Sequence, residues 1–89
     1  MPIERWIIAP EYDEVALRRL GAALRHMGFS VQDHWNALAG SQDIFHWELA
    51  SEAGALTIES ETYIGLWAEG PPEIVQQLRE TFASEPSQT

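Results

Sequence analysis

The chain has no cysteine and no lysine, and its five basic residues, all arginine, face fourteen acidic ones. Lack of cysteine excludes disulfides, thiolate metal sites and cysteine nucleophiles. Lack of lysine excludes a Walker-type phosphate-binding amine and a Schiff-base enzyme. The glycines, at 21, 28, 40, 54, 65 and 70, are too scattered to form a phosphate-cradling loop, and no serine-nucleophile motif occurs. No apolar run approaches the ~20 residues a membrane span requires. The opening MPIERW puts charge where a secretory signal would carry its apolar region. The last two observations lead to the expectation of a cytoplasmic protein with no membrane partner.

What is present is acid, unevenly spread. Over residues 1 to 32, Glu4, Glu11, Asp13 and Glu14 are balanced by Arg5, Arg18, Arg19 and Arg25. Beyond residue 32, ten carboxylates face only Arg79, so the second part carries the whole net charge of −9. Phosphate backbones are bound by clustered Lys and Arg, which makes nucleic acid an unsuitable partner. A basic protein or a cation is favoured electrostatically; the blander role of such acidity is to keep a small protein soluble.

An apolar content of 45% with 21% charged residues suits one globular domain, expected over 1–83 with a frayed tail over 84–89. IERWIIAP (3 to 10) reads as a strand; its apolar residues fall on both parities, which suits an inner strand covered on both faces. Leu17, Leu20, Leu24 and Met27 recur at helical spacing, with acids at the start of that segment, Arg25 and His26 at its end and Gly28 to close it. From residue 29 the period becomes two. Phe29, Val31 and Trp35, then Phe45, Trp47 and Leu49, then Leu56 and Ile58 mark the apolar faces of three strands, parted by NALAGSQD and SEAG. TYIGLWAEG continues as strand, either as a long bent strand or after a break near SET. GPPE then starts a helix with Ile74, Leu78 and Phe82 inward. The order β-α-β-β-β(-β)-α gives an α+β open-faced two-layer sandwich, an antiparallel sheet of four to five strands with two helices on one face.

Register follows from keeping apolar sets on one side. Pairing Ala50 with Ala55 around SEAG sets Leu49 against Leu56, Trp47 against Ile58 and His46 against Glu59. Pairing Trp35 with Phe45 and Val31 with Leu49 sets His34 beside His46. Asp33 then falls on the apolar parity, where an unpaired carboxylate is costly, and marks a bulge, an edge position or a functional acid near an indole.

Two functional expectations result. The first is a non-catalytic, inhibitor-like or immunity-like or homodimerising module that holds a basic protein partner, or a second copy, on the open sheet face. Tyr63 and Trp67 form its aromatic patch and Glu59, Glu61 and Glu69 its acidic rim. It has no catalytic residues and no cofactor. The alternative is a site for zinc or another divalent metal, or for a small ligand, that serves hydrolysis: His34, His46 and Glu59 in one cross-strand row offer two imidazoles and a carboxylate with an open position for water. An ordinary solvated His–Glu pair would share that pattern, and Phe45, Trp47 and Trp35 are read as core.

Overall fold

The computed structural model describes residues 2–10 and 13–85. Its elements are β1 (Glu4–Ala9), α1 (Glu14–His26), β2 (Ser30–Ala39), β3 (Gln42–Ser51), β4 (Gly54–Glu61), β5 (Gly65–Gly70) and α2 (Pro72–Ser84). The strands form one antiparallel sheet in the order β1-β5-β4-β3-β2. The two helices lie on one face of it, completing an α+β two-layer sandwich.

Helix α1 begins where Asp13 accepts a hydrogen bond from the Ala16 amide at 3.0 Å, satisfying one of the first-turn donors that have no intrahelical acceptor. It ends in a Schellman closure: the Phe29 amide donates to the Leu24 carbonyl and the Gly28 amide to the Arg25 carbonyl, with Gly28 at φ 82°. Leu20, Ala23 and Leu24 of α1 and Ile74, Val75 and Leu78 of α2 are buried against Leu49, Leu56, Ile58, Leu66 and Ala68 of the sheet. Arg19 ties the helices together, donating from Nη2 to the Phe82 carbonyl at 3.0 Å while its guanidinium covers the Phe82 ring. The cover is uneven. Helix α2 packs on β1, β5 and β4, whereas toward β2 an apolar groove of about 280 Å³ stays open between α1 and the sheet, lined by Leu17, Leu24, Val31, Trp47 and Leu49.

The β3–β4 hairpin has the expected register, including Leu49↔Leu56, Trp47↔Ile58 and His46↔Glu59. The β2–β3 hairpin does not. Val31 pairs with Leu49 as expected, but the register shifts between Val31 and Asp33, so Gln32 is an extra residue and everything beyond it turns over: Asp33↔Glu48, His34↔Trp47, Trp35↔His46. Asp33 thereby leaves the apolar parity, and Trp35 leaves the core face. Strands β2 and β3 also extend through most of NALAGSQD to a turn at Gly40 and Ser41, pairing Ala39 with Gln42.

Elsewhere one expectation changes and one alternative is decided. Strand β1 is a sheet margin rather than an inner strand: Trp6 and Ile8 pack on the core, whereas the second apolar parity, Ile3 and Ile7, is exposed; the register shifts between Ile7 and Ala9. The strand after Ser60 breaks at a turn over 62–64, fastened by the Asp43 amide donating to Thr62 Oγ1 at 2.8 Å. Gly65 follows at φ 114°, where a Cβ would lie 2.1 Å from the Ala9 carbonyl oxygen. Ser84 is the last residue of α2 and Glu85 its C-cap; 86–89 of the expected tail lie outside the described residues.

Candidate functional site

Strand pairing arranges the side chains of the open face in rows across the sheet. The central row runs Trp35, His46, Glu59, Trp67, Ile7 from β2 to β1, and beside it runs Asp33, Glu48, Thr57, Glu69, Arg5. On the other side lie Ala37, Ile44, Glu61 and Gly65. These rows carry five carboxylates against one guanidinium.

His46 is the hub. Its Nδ1 lies 2.7 Å from Glu59 Oε2, its Nε2 lies 3.3 Å from Glu48 Oε2, and its ring stacks on Trp35 with centroids 4.9 Å apart and planes inclined by 8°. Partial burial of this imidazole opposes its charge, but the hydrogen bonds to Glu59 and Glu48 and the charges of both carboxylates outweigh it, so the His46 pKa is raised above its ordinary value. With both nitrogens facing carboxylates, the protonated ring acts as a cation that donates two hydrogen bonds.

The expected metal row is not assembled. His46 and Glu59 are paired, but the extra residue in β2 places His34 opposite Trp47 on the helix side. Among the described residues no group of three His, Asp or Glu is placed to hold a metal ion.

The expected aromatic patch is also rearranged. Tyr63 is exposed but sits in the β4–β5 turn. Trp67 does stand on the open face, yet it is only 4% exposed, with Arg5 over its ring at 5.2 Å. Arg5 is held there by Glu69 at 2.8 Å. The indole Nε1 is buried without a hydrogen-bond partner, so this side chain belongs to packing. Glu59 is taken up by His46, and Glu61 accepts from Gln42 Nε2 at 3.2 Å.

No protein-family model, curated protein or solved structure matches this chain. The functional reading therefore rests on the residues themselves. Trp35, 46% exposed on the open face, is read from the sequence as core, and the anomalous Asp33 beside it as a bulge, an edge position or a functional acid. Their shared signal in the sequence was that anomaly: an acid on an apolar parity, which one extra residue in β2 resolves. Asp33 lies directly across from Glu48, a like-charge pairing that destabilises a sheet. Glu48 has His46 at 3.3 Å, whereas among the described residues no ion pair reaches Asp33; its Oδ1 accepts only from the adjacent His34 amide.

Proposed function

We propose that the protein is a non-catalytic interaction module that holds a basic protein segment on its open sheet face. The observation that supports this most is the juxtaposition of an opposed acid pair, Asp33 and Glu48, with the exposed indole of Trp35 in the next row. A guanidinium or ammonium placed there would relieve the repulsion between the two carboxylates and could lie on the aromatic ring, a cation–π contact of about 0.5–1 kcal/mol when exposed and more when desolvated. The helix layer, by contrast, carries Arg18, Arg19, Arg25 and Arg79 among its acids. An inhibitor-like role, in which the acidic face covers a basic site on another protein, is one concrete form of this reading.

Capture from host extract with matched baits tests it. Wild-type protein and a helix-layer variant, Arg18→Glu, should retain the same partner, and salt should elute it. Glu48→Arg and Trp35→Ala should lose it. Retention by Glu48→Arg, or loss confined to Arg18→Glu, would refute the reading.

A further inference from the structure

We infer that β2 is a homodimer seam: two copies of the chain pair antiparallel along residues 33–39, joining their sheets into one of ten strands. The two sheet margins differ in protection. Exposed edges present unpaired backbone groups, and proteins blunt them with short strands, prolines, charges or bulges. Strand β1 is six residues long, has a register shift, lies between Pro2 and Pro10 and carries Glu4 and Arg5. Strand β2 is ten residues long, exposed at every position and free of proline; its one bulge lies near its start, leaving 33–39 regular.

The ring geometry at that margin points outward. Trp35 and His46 stack at 4.9 Å, close to the ~4.7–4.9 Å separation of neighbouring strands. The two rings therefore stand side by side along the hydrogen-bonding direction. The other side of the indole faces the place where a side chain of an added strand would stand.

A second copy fits that place in charge and shape. Each chain carries −9, so two copies repel over most of their surface, but in Ser30–Ala39 the single carboxylate is Asp33. A two-fold axis at Asn36 sets Asp33 opposite Ala39, His34 opposite Leu38 and Trp35 opposite Ala37 of the second copy. No carboxylate then opposes another, and the bulky indole meets a methyl group. On the helix side, Leu38 of the second copy, 71% exposed in the single chain, comes near Val31 at the open groove, itself 52% exposed. An antiparallel two-fold runs perpendicular to the sheet, so both helix layers share one side and both acidic faces form one continuous surface. The seam uses the strand edge and needs no other partner.

Sedimentation of the full chain across a concentration series tests it, together with amide hydrogen exchange. A reversible dimer is expected, and backbone amides within 33–39 that point away from β3 should gain protection as dimer forms. Ala37→Glu, which sets a carboxylate against Trp35 of the second copy, should raise the dissociation constant about thirtyfold or more. It leaves Asp33, Glu48 and Trp35 in place, so failure of the seam is distinguishable from failure of the basic-partner reading. Ile7→Glu, on the same face at the other margin, should leave dimerisation unchanged. A chain monomeric at every concentration, a dimer indifferent to Ala37→Glu, or a dimer whose 33–39 amides stay unprotected would overturn the inference. Should Ala37→Glu fail to fold, the exchange result on the unaltered protein decides.

Discussion

Trp67 and Trp35 stand in the same row of the same sheet face, three strands apart, in opposite surroundings. Trp67 is enclosed by Arg5 and its neighbours at the end of the sheet where α2 packs behind the strands. Trp35 lies at the other end, where β2 is exposed throughout and the groove under α1 stays open. The contrast shows that a side chain's face alone does not decide its role: depth in the sheet and the layer behind it separate packing from availability. Stability is therefore expected to concentrate in β1, β5, β4 and the helices, leaving β2 and outer β3 freer to serve recognition.

The largest test of that division is Trp67→Ala, expected to cost about 3–5 kcal/mol in chemical denaturation through the cavity it leaves, while Trp35→Ala costs about 1 kcal/mol or less. Equal costs would dissolve the distinction. His46 comes next. Because its folded pKa is raised, its protonation stabilises the fold, fully below the ordinary imidazole pKa, and that contribution is lost as pH rises through the folded value. His46→Gln should flatten this part of the pH–stability curve; an unchanged slope between wild type and variant would show that the hub contributes nothing. A smaller effect is expected from Asp33→Asn, which removes the like-charge opposition to Glu48 and should stabilise the monomer by about 0.2–1 kcal/mol at low salt, with the gain shrinking as salt is added. Destabilisation by that variant would mean that the carboxylate's bond to the His34 amide outweighs the repulsion. The smallest is Leu38→Ser, within about 0.5 kcal/mol of wild type in a dilute monomer, as expected of an exposed position.

Much of the architecture was legible in the chain because pattern and turn chemistry agreed. SEAG leaves four residues between Ala50 and Ala55, and the alternation on either side allows one pairing that keeps Leu49, Leu56, Trp47 and Ile58 together. Acids and bases at the ends of α1, with Gly28 beyond, marked its limits. The candidate site was half legible. His46 and Glu59 follow from that hairpin, whereas the position of Trp35 depends on Gln32 being extra, and periodicity counts residues without revealing which one is left unpaired. Asp33 carried the warning, since a carboxylate on the apolar parity is costly and a bulge removes the cost. Burial of Trp67 was illegible for another reason: it depends on Arg5, distant in sequence, lying across the ring.

The extra residue at position 32 also has an evolutionary reading. Its deletion would close the bulge and leave the ladder unchanged, because Val31 and Asp33 already occupy successive positions opposite Leu49 and Glu48, and Trp35 would stay on the imidazole of His46. Loss of that one codon would therefore keep the aromatic margin, with Asp33 still across from Glu48. What the extra residue contributes is local, a bend and a stronger twist at the start of the strand, on an unchanged pattern of faces.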